Sequence, residues 1–586
     1  MQNPPGTTGH GWLVKVSSRT ARPDPTACPT HLRTAVRPLL TADPPVPFRP
    51  APREEFGPGP LFAALDLWEH EGRPLTDVLD ELRGTRGPFR GRGAPVHPAL
   101  LAWTVEAIER YVAARGTEQK AAQAAGLPPT LAVRQGWTVR TAKRDAPDAR
   151  GARQYEHTAW GRQYASEDGS VRDLWIPSLG RAKPDRAAAE KAAVAYVLAL
   201  GQPAPRRRRG AEPPQAATEG DRLPARVRVF DFGCADGSVT PLLDWGQSEV
   251  RRRFAADAAP VFHKAATGVG TRPGPSCVDC KVISRCGALH RAPGLWDTTP
   301  AAPLRRRRSV SAWDLRLHGE CPAQYHLVRR LHLDDLTMEN DGARRGRAVD
   351  AWLNERHGVR PARGCRDLPV PDVSSIPPAF ALDAPLGRVA VRMMEEHRAL
   401  CPLNGIGPHE KVLVQHQVTA YVPELDVVVL AVPDLLYSHR GRMIWRETKT
   451  SSRPLFEGRS LLHSYPQLAL AVLLFSAGAL AAEPRRSWVE FELLCEDRAS
   501  CRLERIDPSR PENVAEAREV IAELAQPLLG DTSYEPRTGR HCHNCQARTW
   551  CKPGTAYVAG HPLSASALQS PGVKTGRGAD QASRHV

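Results

Sequence analysis

Apolar residues recur at helical spacing in four segments of the second half of the chain, at residues 309–333, 343–357, 460–482 and 513–528. The first is entered through Ser309 or Ser311 and breaks near Cys321-Pro322, because proline cannot continue the helical hydrogen bonds. The longest apolar run, Leu468 to Ala482, is shorter than the roughly 20 residues that a membrane helix needs. We therefore predict a buried helix there and no contact with a membrane.

Residues 412–432 and 442–450 are rich in Val, Leu, Ile and Trp and predict strands. Helices before and after these strands predict an α/β domain. Breaks rich in proline or arginine divide the chain at residues 36–60, 201–226 and 293–308. We therefore expect an N-terminal α/β domain over 1–292, a basic linker over 293–308, a second domain over 309–556 and a flexible tail over 557–586.

The chain of 586 residues carries a net charge of +16 and has a pI near 9.5, which favours an acidic partner such as nucleic acid. An excess of Ala, Arg, Pro and Gly is also typical of a GC-rich genome, which weakens that inference. The N-terminus lacks the apolar core of a signal peptide, so we expect a cytoplasmic protein. In a reducing compartment the 13 cysteines are expected to be metal ligands or core residues rather than disulfides.

Two carboxylates and a lysine flank a predicted hairpin. An apolar strand ends in Pro433-Asp434, and the return strand holds Glu447 and Lys449. Because side chains alternate along a strand, Glu447 and Lys449 project to one side, and the hairpin would set Asp434 beside them. Two carboxylates can hold Mg²⁺ or Mn²⁺ for phosphodiester hydrolysis, while the lysine orients or activates the attacking water. An exposed hairpin with an ordinary Glu–Lys pair is the alternative interpretation.

Pro433-Asp434, Glu447-Thr448-Lys449 and Gln467 resemble the PD-(D/E)XK nuclease superfamily, in its RecB-like and CRISPR-adaptation exonuclease branch. The resemblance covers residues 309–556. It implies a restriction-endonuclease-like mixed sheet flanked by helices, and metal-dependent cleavage of DNA with Asp434, Glu447 and Lys449 as catalytic residues.

The resemblance also implies roles for two further positions. The branch has a Gly-x-x-apolar-His motif whose histidine helps to bind the metal, and this chain has Asp350 in that position, after Gly346. Asp350 is therefore expected to be a ligand of Mg²⁺ or Mn²⁺ together with Asp434 and Glu447. Gln467 matches a glutamine that sets the lysine and contacts DNA, whereas the usual tyrosine four residues later is Ala471.

A second group of candidate ligands is a C-x2-C-x5-C run formed by Cys542, Cys545 and Cys551, with Cys321 as the natural fourth ligand. Four thiolates suit a [4Fe–4S] cluster and also zinc, and the adjacent histidines at 541 and 543 keep zinc open. Iron–sulfur members of the resembled branch have one cysteine before the nuclease core and three after it, which implies a cluster here. Four other cysteines lack such spacing and are interpreted as core or surface thiols, namely Cys365, Cys401, Cys495 and Cys501.

The first half of the chain repeats this cysteine pattern, which predicts an internal duplication with a second cluster. Its candidate ligands are Cys28, Cys277, Cys280 and Cys286, with Cys234 competing for the place of Cys28. In the best candidate strand Asp173 is followed by Trp175 where the catalytic lysine would stand, so we predict a degenerate pseudo-nuclease copy that binds DNA or braces the active one. An unrelated α/β domain with a zinc knuckle is the alternative.

Residues 227–237 offer a rival signal, because they resemble the first motif of S-adenosylmethionine-dependent methyltransferases, a strand that leads into a glycine-rich turn. Too few residues separate Gly237 from Cys277 for the further strand–helix units of such an enzyme. The chain has no Gly-x4-Gly-Lys-Ser/Thr loop, so a helicase would be a separate partner. The arginine runs 206–209 and 305–308 are either phosphate contacts or solvated linker.

Three hypotheses follow. The first is a metal-dependent DNA nuclease with a structural iron–sulfur cluster, in DNA repair, recombination or phage defence. The second is a catalytically decayed iron–sulfur or zinc DNA-binding scaffold, and the third is a methyltransferase. The strandedness of the substrate, the polarity of cleavage and the choice between DNA and RNA stay open.

Overall fold

The structure is a computed structural model that describes residues 3–22, 24–43, 57–84, 96–143, 153–204, 223–298, 307–334, 341–455, 458–480 and 486–562. The chain forms two compact units. Unit 1 comprises residues 1–272, 279–286 and 330–333, and unit 2 comprises residues 273–278, 287–329 and 334–586. The expected linkers and tail lie partly outside the described residues, as do Arg206–Arg209 and the first two residues of the 305–308 run.

Unit 1 is a mixed α/β structure. Its strands are β1 (Thr7–Gly9), β2 (Leu13–Ser17), β3 (Leu40–Ala42), β4 (Thr130–Ala132), β5 (Trp137–Lys143), β6 (Arg153–Thr158), β7 (Arg162–Ser166), β8 (Val171–Ser178), β9 (Gln202–Pro203), β10 (Arg226–Gly233) and β11 (Val239–Gly246). Its helices are α1 (Ser18–Ala21), α2 (Pro29–Ala35), α3 (Gly59–Glu69), α4 (Leu75–Arg83), α5 (Pro98–Ala124), α6 (Ala188–Leu200), α7 (Gln247–Arg253) and α8 (Ala259–Thr267).

The strands of unit 1 form a five-stranded sheet in the order β11-β10-β8-β7-β4, a four-stranded sheet in the order β2-β6-β5-β9, and the pair β1-β3. In the larger sheet β8 pairs antiparallel with β7 and parallel with β10, and the parallel connection carries α6. Buried residues of α6 pack with Leu174 and Ile176 of β8 in one apolar core. This arrangement explains why α6 is apolar around most of its surface.

Unit 2 holds the remaining elements. Its strands are β12 (His290–Arg291), β13 (Arg308–Val310), β14 (Val412–Val414), β15 (Val418–Val422), β16 (Val427–Ala431), β17 (Leu435–His439), β18 (Arg442–Ser451), β19 (Ser487–Cys495) and β20 (Arg502–Ile506). Its helices are α9 (Ala312–Glu320), α10 (Pro322–Tyr325), α11 (Asp341–Gly358), α12 (Ala384–Leu400), α13 (Leu461–Ser464), α14 (Pro466–Ser476), α15 (Pro511–Gly530) and α16 (Lys552–Gly560).

The five-stranded sheet of unit 2 has the order β14-β17-β18-β19-β20, and a four-stranded sheet has the order β12-β15-β16-β13. Successive pairs across the larger sheet are antiparallel, antiparallel, parallel and antiparallel. The large sheet of unit 1, taken from β4 to β11, has the same sequence of pairings. In each sheet the parallel connection carries a buried helix, α6 in unit 1 and α14 in unit 2.

The predicted helices of unit 2 form close to their predicted bounds. Ser311 caps α9 through a reciprocal capping box with Asp314, and Cys321 ends that helix before Pro322 begins the next. The predicted buried helix is α14, whose residues from Leu468 to Phe475 are almost fully buried. The start expected at Asn513 is wrong, because Pro511 takes the first position of α15.

The predicted hairpin around Asp434 is wrong in one of its strands. The apolar strand before Pro433 is β16, which pairs with β15 and β13 in the smaller sheet. The antiparallel partner of β18 is β17, which begins directly after Asp434. Asp434 therefore lies at a junction where the chain passes from one sheet to the other.

The glycine-rich turn of the methyltransferase hypothesis lies between two antiparallel strands. β10 ends at Gly233, and β11 begins at Val239 and pairs with β10. A strand follows the turn where a cofactor-binding helix would be expected, which argues against the methyltransferase alternative. Within the described residues, no helix is both long and apolar enough to cross a membrane.

Candidate active site

Asp434, Glu447 and Lys449 converge at one point of unit 2. Lys449 Nζ lies 3.2 Å from Glu447 Oε2 and 3.6 Å from Asp434 Oδ2. Glu447 and Lys449 project from the same face of β18, and Asp434 lies directly before β17. The side chains are 5%, 16% and 15% exposed for Glu447, Lys449 and Asp434, so the group is shielded from solvent.

Neighbouring donors hold both carboxylates in place. The backbone N–H of Thr448 donates to Asp434 Oδ2 at 2.7 Å, and Gln415 Nε2 donates to Asp434 Oδ1 at 3.2 Å. The indole Nε1 of Trp445 donates to Glu447 Oε1 at 2.9 Å. These contacts fix the orientation of the oxygens that a cation would meet.

Burial and charge determine the protonation of the group. Burial raises the pKa of Glu447 to about 7, and the neighbouring charge of Asp434 acts in the same direction. Burial opposes the charge on Lys449, but attraction to Asp434 and Glu447 outweighs it and raises the pKa of the ammonium above its usual value. Carboxylate oxygens are the donors that a hard divalent cation prefers, and the single ammonium of Lys449 does not balance two ionised carboxylates.

Asp350 belongs to the same neighbourhood. It lies on α11, and its negative charge acts on Lys449 and helps to raise the pKa of that ammonium. Asn354, one turn further along α11, donates from Nδ2 to Asp350 Oδ2 at 3.3 Å and accepts from Gln415 Nε2 at 3.4 Å. A polar chain thus runs from Asp350 through Asn354 and Gln415 to Asp434.

Sequence reasoning missed four residues around this group, namely Asn354, Gln415, Trp445 and Tyr465. Asn354 stands four residues after Asp350, which puts both on one face of a helix, and Trp445 stands two residues before Glu447, which puts both on one face of a strand. These spacings could have identified both residues. Tyr465 precedes α14, and burial raises the pKa of its hydroxyl while the charge of Lys449 acts to lower it. Gln415 lies far from Asp434 along the chain, and no local pattern marks it.

Gln467 lies in the first turn of α14 and is half-buried. Its side-chain amide makes no hydrogen bond with the described site residues, so its role in contacting DNA stays a prediction. Ala471 is fully buried on the same helix, inside the main apolar core of unit 2.

The four cysteines of the C-terminal set line a single pocket, together with Gln324, Arg537, His541 and Gly554. Cys321 joins α9 to α10, Cys542 lies in a short 3-10 turn, and Cys551 caps α16. A Cβ on Gly554 would lie 3.3 Å from the sulfur of Cys551 and 3.8 Å from that of Cys542, so glycine leaves room beside the thiols. The pocket brings together cysteines from both ends of the unit 2 sequence.

The chemistry of these thiols fits a metal centre. Burial raises the pKa of Cys545 to about 12, and the other three cysteines add to this effect, which a bound cation would reverse. The backbone N–H groups of Ala547 and Gly554 donate to the sulfurs of Cys545 and Cys551. His541 Nε2 lies 2.9 Å from the carbonyl oxygen of Arg537, so that nitrogen is already engaged.

The other predicted cysteine set, formed by Cys28, Cys277, Cys280 and Cys286, stays a prediction, and its cysteines are buried or half-buried. Cys28 precedes Pro29 at the start of α2, just as Cys321 precedes Pro322 at the start of α10. Both C-x2-C-x5-C runs form two successive 3-10 turns, at 275–279 and 283–285 and at 540–544 and 548–550. The choice between Cys28 and Cys234 stays open.

The described arginines of the 305–308 run are engaged within unit 2. Arg307 Nε donates to Asp426 Oδ1 at 2.7 Å, and its Nη1 donates to the carbonyl oxygen of Val278. Arg308 Nη1 donates to the carbonyl oxygen of Leu528. These two residues serve internal contacts.

The sequence profile of the PD-(D/E)XK nuclease superfamily matches residues 309–552. This segment belongs to that superfamily. The match and the mixed sheet confirm the predicted fold class for residues 309–552, a restriction-endonuclease-like mixed sheet flanked by helices. These residues include Asp434, Glu447 and Lys449.

Among solved structures, the one titled "Crystal structure of SSO0001" is similar to part of the chain. It is 13% identical, with a TM-score of 0.22, and the likeness covers 42% of this chain and 86% of that one. The comparison with curated proteins returned no match.

Proposed function

We propose that the chain is a metal-dependent deoxyribonuclease whose active site is built from Asp434, Glu447, Lys449 and Asp350. The observation that carries the proposal is the convergence of Lys449 Nζ on both Glu447 and Asp434 in a site shielded from solvent. The superfamily match over the same residues supports a nuclease. The net charge of +16 supports a polyanionic substrate, and we take DNA as that substrate.

The carboxylates of Asp434, Glu447 and Asp350 would hold Mg²⁺ or Mn²⁺. A divalent cation supplies Lewis acidity and a water of lowered pKa to phosphodiester hydrolysis. Lys449 keeps its proton, so its ammonium can donate a hydrogen bond to a phosphate oxygen or orient the attacking water. Asn354 and Gln415 hold two of the carboxylates by side-chain donors, and Trp445 holds the third.

We also propose that Cys321, Cys542, Cys545 and Cys551 hold a [4Fe–4S] cluster that closes the nuclease domain. The four thiols share one pocket, two of them accept backbone N–H groups, and His541 is engaged with a carbonyl. A cluster at this point would tie α9 and α10 to the C-terminal 3-10 turns, which lie over 200 residues later in sequence. Anaerobic protein should contain about four iron ions and about four sulfides per cluster. Zinc without iron would instead favour a zinc site.

Unit 1 fits a duplicated copy that has lost catalysis. Its large sheet has the same pairings as that of unit 2, and the cysteine run of the first half of the chain forms the same kind of 3-10 turn pair as the C-terminal run. Asp173 is fully buried and its two oxygens accept from Arg228 at 2.9 and 2.7 Å, so it is committed to an internal ion pair. Trp175 is also fully buried and stacks on Phe230. Unit 1 would therefore bind DNA or brace the active copy.

A decayed scaffold is the second candidate, because Asp350 replaces the histidine of the resembled branch and Ala471 replaces its tyrosine. Carboxylate is a competent ligand for a hard cation, so Asp350 favours activity. DNA repair, recombination or phage defence in the cytoplasm, with a separate helicase or defence partner, are the settings that the proposal fits.

The deciding experiment is cleavage of end-labelled single- and double-stranded DNA, and of RNA, by anaerobically purified full-length protein in Mg²⁺ or Mn²⁺. Lys449→Ala should abolish cleavage and keep DNA binding. Lys411→Ala, at an exposed lysine of unit 2, is the matched control and should cleave like the wild type. Cluster-loaded wild type that binds DNA without cutting it would favour the scaffold.

A further inference from the structure

Two histidines and two cysteines meet in the interior of unit 2, on the sheet face opposite Glu447 and Lys449. They are His357 near the end of α11, Cys365 in a 3-10 turn, His397 on α12 and Cys401 directly after α12. Their side-chain ligand atoms all lie within 4.8 Å of one another. All four residues are buried, with exposed fractions of 5%, 1%, 0% and 5%. The interpretation of Cys365 and Cys401 as plain core or surface thiols is therefore incomplete.

The distances within this group match a tetrahedral metal centre. His357 Nε2 lies 3.1 Å from His397 Nε2, and Cys401 Sγ lies 3.6 Å from His357 Nε2. Zinc with ordinary bond lengths separates two nitrogen ligands by roughly 3.3 Å, and a nitrogen from a sulfur by roughly 3.6 Å. The Nε2 atoms of the two imidazoles thus face each other, and both would bind the same ion.

A carboxylate sets the tautomer of one imidazole. Nδ1 of His397 lies 2.9 Å from Glu492 Oε2, so it carries the proton and donates it to that oxygen. The lone pair of His397 Nε2 is then directed at His357 and the cysteines. Carboxylate–histidine pairs of this kind orient the histidine ligands of protein-bound zinc.

Glu492 is held in turn by the sheet. Arg446 Nη2 lies 3.2 Å from Glu492 Oε1, and Thr448 Oγ1 donates to Glu492 Oε2 at 3.0 Å. Arg446 also pairs with Glu490 at 2.9 Å. Arg505 pairs with Glu490 at 2.9 Å, so two arginines balance the two glutamates, and the two thiolates remain to balance a divalent cation.

We propose that His357, Cys365, His397 and Cys401 form a structural Zn²⁺ site, separate from the catalytic carboxylates and from the C-terminal cysteines. Two thiolates and two imidazoles are a donor set that zinc takes in tetrahedral structural sites. Four protein ligands complete that geometry and burial excludes water, so the ion would be structural.

The position of the site gives the ion a mechanical role. Residues 359–383 contain only short 3-10 turns, at 365–367, 373–375 and 378–380. The ion would fix this segment between α11 and α12, where the surrounding core has fewer buried residues than the main core of unit 2. His357 stands two turns after Asp350 on α11, so the ion would also hold the helix that presents Asp350 to the catalytic group.

The test is the zinc content of full-length protein purified anaerobically without chelator, together with Zn K-edge X-ray absorption. The proposal expects about one zinc ion per chain, bound by two nitrogens and two sulfurs at about 2.0–2.1 and 2.3 Å. Cys401→Ser should lose this zinc, whereas Cys501→Ser, at a half-buried cysteine outside the group, should keep it. Cys545→Ser should also keep it, which separates this site from the C-terminal set.

Three results would overturn the proposal. Wild type that takes up no zinc even after Zn²⁺ is supplied would show a hydrogen-bonded His–His–Cys cluster instead. Zinc that survives Cys401→Ser and disappears in Cys545→Ser would belong to the C-terminal cysteines. If Cys401→Ser does not fold, Zn K-edge X-ray absorption of the wild type still tests the proposal. Four sulfurs around zinc would contradict it, whereas two nitrogens and two sulfurs would support it.

Discussion

Trp445 Nε1 donates a hydrogen bond to Glu447 Oε1 at 2.9 Å, two residues along the same strand. Both side chains are buried, so the indole binds one oxygen of Glu447 while Lys449 faces the other. Trp445→Phe keeps an aromatic ring in the core and removes this donor. A hydrogen bond to a charged group is worth about 1.5–3 kcal/mol, so we expect cleavage to fall by about tenfold or more.

The measurement is the single-turnover rate at which the protein cleaves labelled DNA in Mg²⁺ or Mn²⁺, with circular dichroism to confirm the fold. Trp488→Phe, on the neighbouring strand β19, serves as the control and should leave the rate unchanged. Equal rates for wild type and Trp445→Phe would show that the indole does not position the carboxylate.

Asp350 should determine which metal supports activity. Imidazole suits transition metals, whereas carboxylate suits Mg²⁺, so Asp350→His should lose most of its activity in Mg²⁺ and retain more in Mn²⁺. Rates are compared across a titration of each metal. Asp341→His, at an exposed position at the start of α11, should behave like the wild type in both metals. An unchanged metal preference in Asp350→His would remove Asp350 from the ligand set.

Replacement of Asp173 should lower the stability of unit 1 and leave DNA cleavage unchanged. Asp173→Asn leaves the buried guanidinium of Arg228 without its counter-ion, which costs roughly 3–5 kcal/mol of the free energy of unfolding. Asp244→Asn breaks the exposed pair with Arg226 in the same sheet and should cost no more than about 1 kcal/mol. Chemical unfolding and DNA cleavage are measured on both variants. Loss of cleavage by folded Asp173→Asn would contradict a non-catalytic copy.

His157 should make unit 1 less stable in acid. Burial lowers its pKa to about 4, in a pocket whose walls include Tyr196, Phe254 and Phe262. The unfolded chain binds a proton below about pH 6.5 and the folded chain does not, so stability is complete above that pH and falls as the pH drops toward 4. The full effect amounts to about 3 kcal/mol. His157→Phe should remove this dependence.

The measurement for His157 is urea unfolding at pH 5 and pH 7, followed by hydrogen exchange of peptides from β6. The difference between the two pH values should shrink in His157→Phe, while peptides of unit 2 change equally in both proteins. The same pH dependence in wild type and variant would show that another group titrates.

Local patterns in the sequence predicted much of the nuclease domain. The helical spacing of α11 and α15 and the period of β18 follow from side-chain geometry alone, so Glu447 and Lys449 could be placed on one face without a structure. The start of α15 and the strand that partners β18 were predicted wrongly. Pairing between strands depends on contacts distant in sequence, and Pro433 allows the chain to leave one sheet before Asp434 enters the other.

The sequence by itself determined the chemistry that unit 2 can perform, because a motif of carboxylates and lysine and a spaced cysteine run are local features. Only the tertiary structure decided which distant residues complete each site. Gln415 reaches Asp434 through the fold, and His357, Cys365, His397 and Cys401 meet although no spacing marks them. These four side chains, from α11, a loop and the end of α12, converge because packing on a common core brings together groups that the chain keeps apart.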